Sequence, residues 1–473
     1  MEKLNELMGR IISRVNINLR ESGFDTEPYV RGLLSPAQLS RFYAFYGISP
    51  QYPLNFHFAR SSLAGSYFLG KCHVSDSILY KSDIRGEELK RKGNVFHHGS
   101  FRIPMHEDET IRIKDSCLIK TLVHNYSHDP EHPEEFTIYN TIANHYANIH
   151  GSDMEGCFLG PFSTVDLTTA HDCIIGDFVY LQKNELSHHQ VPAGTIWVSG
   201  GDAFEFHYAH DPETLKKYIS FEPGKRPAGI FMDFLDKRKA DFERIFDVVN
   251  LEDIGTVPSS ASVSRYAVIR PKTKIGDNVL ISQRAYIENS RMGKGANAQE
   301  NCFIIDSNLA GYNVTAHGAK IIGAHLEEKV FTGFNSFLRG SSRFPLKIGE
   351  NSIIMPHTII DLEEPVEIEP ASIVWGYIRN GKDAGQNSIP LASLRGSTGE
   401  ITRGRMSFSG SGNAFADAFQ HRIDHILEAN GAYFDGENRK GHAQQSRKMS
   451  FNIIQPYPEG NNEGVFPTIE ILP

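Results

Sequence analysis

Between Val263 and Glu288 the apolar positions of the chain recur every six residues, at Val263, Ile269, Ile275, Ile281 and Ile287. The fourth residue after each of the first four is small or short (Ala267, Thr273, Val279 and Ala285), and turn formers such as Pro271 and the pair Gly276-Asp277 lie between. A helix returns apolar residues every three or four positions and a half-buried strand every second, so a strict six fits neither. Short parallel strands joined by tight turns, each sending one aliphatic side chain inward, satisfy it. Three hexads then make one triangular coil of about eighteen residues, and coils stack about 4.8 Å apart through backbone hydrogen bonds. The pattern runs from 256 to about 382, through Ile348, Ile354, Ile360, Ile368 and Val374.

Residues 56–200 repeat the spacing less regularly. Val74 and Tyr80, then Ile113 and Ile119, keep it, with interruptions at 87–109 and 127–135. It resumes through Ile138, Asn144, His150, Gly156, Phe162, Thr168 and Ile174, where polar residues at nominally inward places mean either a slipped register or an interior opened for chemistry. Residues 1–55 open with an amphipathic helix carrying Leu4, Leu7, Met8, Ile11, Ile12, Val15 and Leu19. A short second helix after Pro36 is expected to carry Leu39, Phe42, Tyr43 and Phe45. The open end of a stacked coil has unpaired backbone, so this segment reads as a helical cap, with oligomer contact as the rival. Residues 201–255 break the period with two helical patterns, one over 212–219 and one carrying Phe231, Phe234, Leu235, Phe242, Ile245, Phe246 and Val249, and read as a helical insertion. Residues 383–473 hold a helix over 414–429, with a tail of low order beyond Asp435.

The fold class expected is therefore mainly β, a parallel β-helix in two sections with helical caps and a helical insertion. The hexads resemble the hexapeptide-repeat superfamily, and that resemblance implies a left-handed coil and a homotrimer. It leaves activity open, because function varies within the superfamily and resides in sites grafted on the fold. The net charge of −9 and a pI near 6.2 argue against nucleic acid and against an anionic membrane as partner. No stretch has the length of a membrane span or the pattern of a leader. Five scattered cysteines without a Cys-x-x-Cys pair read as reduced residues of a cytoplasmic protein.

Of 21 histidines, 15 precede residue 211, which makes the first β-helical section the place to look for chemistry. The run Thr169-Ala170-His171-Asp172-Cys173-Ile174-Ile175-Gly176-Asp177 resembles the active-site coil of the UDP-N-acetylglucosamine acyltransferases. The resemblance implies that His171 acts as general base on an acceptor hydroxyl, with a thioester, acyl-CoA or acyl carrier protein, as donor. The chemistry stands by itself too, since a hydroxyl loses a proton as it attacks a thioester and imidazole accepts one near neutral pH. Asp172 is a candidate substrate contact, not an orienter of His171, because neighbouring strand residues face opposite sides. A second Ala-His, at Ala316-His317-Gly318, enters a coil in the same manner and makes His317 the other catalytic candidate, with Asn313 beside it for substrate. His145 and His150 complete the substrate-binding candidates. Many acetyltransferases of the superfamily close their coil with Val-x-Gly-x-Pro-Ala against coenzyme A. Here Glu369-Pro370-Ala371 leads to Trp375-Gly376-Tyr377-Ile378-Arg379, which departs from that pattern. No Gly-x-Gly phosphate loop follows an apolar strand, which argues against a nucleotidyltransferase domain.

Two other classes compete with acyl transfer to a sugar or nucleotide-sugar. His145 and His150, five apart, resemble the paired ligands of γ-class carbonic anhydrases, and with His124 they are a candidate zinc set; zinc takes three nitrogens and an open position. The last class is a β-helical scaffold without catalysis.

Overall fold

A computed structural model describes residues 2–39, 44–49, 52, 55–98, 101–126, 135–242, 257–445, 450–454 and 468–471. The chain divides into two compact units. The first comprises Met1–Gly194, Leu215–Gly229 and Met449–Pro473, and the second Thr195–Thr214 and Ile230–Lys448. Each is a left-handed parallel β-helix with its own additions.

In the first unit three stacks of short parallel strands form the faces of the coil. Their inward residues line up as Ile84, Val123, Ile149, Val165 and Leu181 on one face. Leu118, Ala143, Leu159, Ile175 and Val191 fill the second, and Val74, Ile113, Ile138, Met154, Ala170 and Leu186 the third. All of these are buried. Along the chain Ile138, Ala143, Ile149 and Met154 are five, six and five residues apart, so one coil takes sixteen residues. This corrects the register expected from hexads: Asn144, His150 and Thr168 are not inward positions. Corners are turned by single left-handed residues, such as Tyr146 (φ 63°), Phe162 (φ 57°) and Asp172 (φ 54°), a conformation that costs a non-glycine residue strain which ladder bonds on both sides hold in place.

The helix Glu2–Asn18 does not cover an end, as expected of residues 1–55. It lies along a flank, where Leu4, Leu7, Ile11, Ile12 and Val15 pack on Ile78, Cys117, Ile119, Ile142, Phe158 and Ile174 from successive coils. Its polar side reaches the left-handed corners: Arg10 bonds Asp76 at 2.7 Å, Arg14 faces Asp115 at 3.5 Å, and Asn18 donates to Asp172 at 2.6 Å. Gly156 (φ 67°) makes the last contact possible, because a Cβ there would stand 2.2 Å from Asp172 Oδ1. The segment 44–48 is a strand, so Phe45 does not extend the helix Pro36–Leu39; Phe42 and Tyr43 lie outside the described residues. The exposed edges are paired by chain from the far end. Ser450–Ile454 runs antiparallel to Ala44–Ile48, and Ile469–Ile471 antiparallel to Phe56–Ala59, where a tail of low order was expected. The interruption at 87–109 contains the hairpin Val95–His98 and Phe101–Pro104; residues 127–134 lie outside the described residues.

In the second unit Ile287, Ile304, Ile321 and Leu338 stack at seventeen-residue intervals, close to the expected eighteen. The expected helical insertion also holds a strand, Phe204–Ala209, between Thr195–Ser199 and Met406–Gly410. Its helices are Pro212–Tyr218 and Ile230–Asp236, the second of which sets Phe231 and Phe234 against Phe337. Ile245, Phe246 and Val249 lie outside the described residues. The helix Gly412–Ala429 is capped by Ser411, which accepts from Ala414 N, and buries Phe415, Phe419, Ile423 and Leu427. Among the described residues no helix is long and apolar enough to cross a membrane.

If the first helix is held chiefly by its apolar stripe, Ile11→Ala lowers the unfolding free energy by about 2–5 kcal/mol. Ile17→Ala, at a position 57% exposed, changes it by less than about 0.5 kcal/mol. Guanidinium denaturation of both variants checks the contrast.

Candidate functional site

A parallel ladder places chemically active side chains one coil apart. In the first unit Arg85, His124, His150 and Asp166 stand in register on adjacent strands, facing away from the interior columns. His150 Nδ1 lies 2.8 Å from Asp166 Oδ1, and the Tyr180 hydroxyl donates to the other carboxylate oxygen at 2.5 Å. The His124 and His150 rings meet edge to face with centroids 5.1 Å apart. Their neighbours in the strands, Val123 and Ile149, fill the core, which is why sequence alternation alone puts the histidines outward.

His145 stands apart from this ladder. It occupies the corner between Ile142–Ala143 and Asn148–His150, and Tyr146 after it takes the left-handed conformation. Of the zinc set inferred from spacing, His124 and His150 lie side by side on the ladder and His145 does not join them: a five-residue interval puts one histidine on a corner and the other on a face. Burial, then the Lys120 and Arg226 charges, lower the His145 pKa to about 3, which keeps the ring neutral. Asp177 sits at the corresponding corner two coils on, and burial raises its carboxyl to about 7 although the backbone N–H of Phe221 donates to it.

His171 ends the strand Thr169–His171 on a different face, in register with Glu155 and Ser187. Its Nδ1 is 3.9 Å from Glu155 Oε2, and the two side chains are 41% and 50% exposed. Asp172, the candidate substrate contact, is engaged by the protein itself: its Oδ1 accepts from Asn18, and its Oδ2 is 3.8 Å from His188 Nδ1. Cys173, next in the run, points its thiol at the Leu186 carbonyl.

In the second unit His317 repeats the corner geometry of His145, with Gly318 (φ 73°) as the left-handed residue after it. Its Nδ1 is 2.8 Å from Glu300 Oε2, and both side chains are closed off, at 1% and 4% exposure. Asn313, the candidate beside His317, is buried, accepts from Gly311 N and donates to the Glu327 carbonyl, so it braces a turn. Lys320 is buried beside Phe231, donates to the Gly318 carbonyl at 2.6 Å, and has its pKa lowered by burial to about 7. The closing coil is covered by protein. Trp375 packs edge-on to Phe206, and Gly376 (φ 77°) lies against the Tyr208 ring, where a Cβ would come within 2.6 Å.

The carboxylates Glu155, Asp166 and Glu300 were absent from the sequence reading. Each stands one coil from its histidine, sixteen residues from His171, sixteen from His150 and seventeen from His317. The coil length, once known, is the signal that finds them.

Asp177 gives a pH test. Its pKa is raised above the usual 3.8, so between about 4 and 7 the unfolded chain has lost the proton that the folded chain keeps. This group therefore costs stability as pH rises through that window, by up to about 1.4 kcal/mol per pH unit, and the cost levels off above it. Asp177→Asn is expected to melt above the wild type at pH 8, with the gap closing towards pH 4, in calorimetric scans.

Residues 101–223 match the family model for the hexapeptide repeat including loop. The crystal structure of a candidate acetyltransferase from Desulfovibrio desulfuricans is 55% identical, covers 100% of this chain and 99% of its own, and superposes with a TM-score of 0.93. The bifunctional protein GlmU of Rhizobium rhizogenes is 26% identical over 140 residues, 28% of this chain and 29% of that protein, so the chain spans under a third of this curated relative. The UDP-N-acetylglucosamine acyltransferase of Francisella novicida is 11% identical over 64% of this chain and 91% of its own, with a TM-score of 0.16 that carries no argument. With a full-length relative at that identity and stacked coils throughout both units, the chain belongs to the hexapeptide-repeat family of left-handed parallel β-helix proteins.

Proposed function

We propose that the protein is an acyltransferase that moves an acyl group from a thioester donor, acyl-CoA or an acyl carrier protein, to a hydroxyl of a sugar or nucleotide-sugar. The full-length relation to a candidate acetyltransferase supports acyl transfer as the class. The observation that carries the assignment to a residue is the exposure of the three imidazole–carboxylate pairs. The His150–Asp166 pair is 9% and 0% exposed and the His317–Glu300 pair is nearly closed, whereas His171 and Glu155 stand open. A base must reach the proton that it removes, so the open pair is the catalytic one.

On this reading His171 takes the proton of the acceptor hydroxyl as its oxygen attacks the thioester carbonyl. Collapse of the tetrahedral adduct breaks the carbon–sulfur bond, and the imidazolium returns the proton to the leaving thiolate. Glu155, within 4 Å of Nδ1, favours the imidazolium that forms between the two steps. Thr169, Glu185 and Ser187 lie on the same face and offer hydrogen bonds to an acceptor rich in hydroxyls. The closed-over coil at Trp375 supports a donor site elsewhere than the superfamily's usual closing coil. The cytoplasm suits the five free, buried cysteines, and assembly as a homotrimer follows the family resemblance.

The test is thiol release from acetyl-CoA with a panel of sugars and nucleotide-sugars. His171→Ala is expected to lower kcat/KM by about 10²–10⁴ and Glu155→Gln by less, while His317→Asn, verified as folded, keeps the wild-type rate. A fully active His171→Ala would reject the assignment. Light scattering on the same preparation is expected to give the mass of three chains.

A further inference from the structure

The corner at Asn144 and His145 in the first unit has more polar atoms than the protein satisfies. Both residues are buried. Among the described residues, neither amide atom of Asn144 has a hydrogen-bond partner, nor does Nδ1 of His145. An unmet buried polar atom costs about 1–3 kcal/mol, so three on two consecutive residues call for a partner from outside the chain.

The surroundings say what kind. The residues in line with Asn144 on the next two coils are Gly160 and Gly176, and at the first of them the Asp177 carboxyl takes the place that a Cβ would occupy. Asp177 leans over Gly160, where a Cβ would lie 2.4 Å from its Oδ1. On the coil before, Lys120 reaches across Tyr146, with Nζ 3.2 Å from the hydroxyl and 5.0 Å from the ring centre. Arg226 is exposed and anchored through Nε to the Leu33 carbonyl at 3.1 Å. Both charges that act on the His145 ring are positive. Tyr29, beside Phe221 and Phe158, supplies an aromatic wall near Asp177.

We infer that Asn144, His145, Lys120 and Arg226 form a binding site for a phosphoryl group, free or carried by a small hydroxylated ligand. The donor set is an amide, an imidazole, an ammonium and a guanidinium, more than the two oxygens of a carboxylate can serve and suited to the several oxygens of a phosphate. The Asn144 carbonyl oxygen remains to accept from a hydroxyl, which favours a sugar phosphate over the bare ion. The site includes neither His171 nor Glu155 and stands whether or not these carry out acyl transfer.

The test is the melting point of the full chain with inorganic phosphate and with glucose phosphate, each against chloride at equal ionic strength. Both ligands are expected to raise it, glucose phosphate more at equal concentration, since a ligand that binds only the folded state adds stability. A rise with inorganic phosphate alone assigns the site to the free ion. Lys120→Gln with Arg226→Gln, both at partly or fully exposed positions, removes either rise. His145→Leu removes the rise too, while the protein without ligand melts higher than the wild type because an unmet polar atom is gone. The inference is overturned if neither phosphate acts beyond chloride, as when only water fills the corner, or if the rise persists in the Lys120, Arg226 double variant.

Discussion

Everything in this protein depends on the parallel ladder. Each short strand bonds through its backbone to the strand one coil before and one coil after, and three columns of aliphatic side chains fill the interior from Val74 to Val191 in the first unit and from Ile281 to Ile378 in the second. The ladder fixes register so tightly that a side chain's partner is set by coil length. That is why histidines meet carboxylates sixteen or seventeen residues away, and why corners hold a residue in the left-handed region whether it is a glycine, as at Gly156 and Gly318, or carries a side chain, as at Tyr146 and Phe162. It also frees the outward faces. A coil supported from inside tolerates polar, charged or aromatic residues outside, and the protein uses this for a helix on one flank and for buried ion pairs on another.

How much of this was legible follows from the same constraint. The second unit was readable because Ile269, Ile275, Ile281 and Ile287 keep a uniform interval. The first was blurred because five, six and five residues alternate there, and a search at six drifts out of phase within one coil. The helix Glu2–Asn18 was evident from its stripe, but its place along a flank was not. The apolar column that receives it, Ile78 to Ile174, becomes a surface only after the coil is wound. The strands at 450–454 and 469–471 were missed because edge pairing is a contact across the whole chain, and local composition there is that of a tail.

The candidate chemistry divides in the same way. His171 was found by the run around it, yet Asp172, adjacent in sequence, proved to hold Asn18, while Glu155, a coil away, stands by the ring. Asn313 drew attention by nearness to His317 and turned out to brace backbone. Nearness along the chain is a poor guide in a solenoid; nearness across coils is what brings groups together. His145 and His317, at like corners of the two units, differ for this reason. One coil back from His317 stands Glu300, whereas the coil beside His145 carries Lys120, and an imidazole with a carboxylate neighbour in one unit becomes an imidazole among cations in the other.

The antiparallel strands Ser450–Ile454 and Ile469–Ile471 have a consequence for biogenesis. They complete sheets begun by Ala44–Ile48 and Phe56–Ala59, some four hundred residues earlier in translation. The first unit emerges from the ribosome long before its edges are covered, and the second unit is synthesised in the interval. Until residues 450–471 arrive, the nascent chain presents open parallel edges to every other nascent chain in the same polysome, so its exposure to mispairing grows with the time taken to translate the second unit.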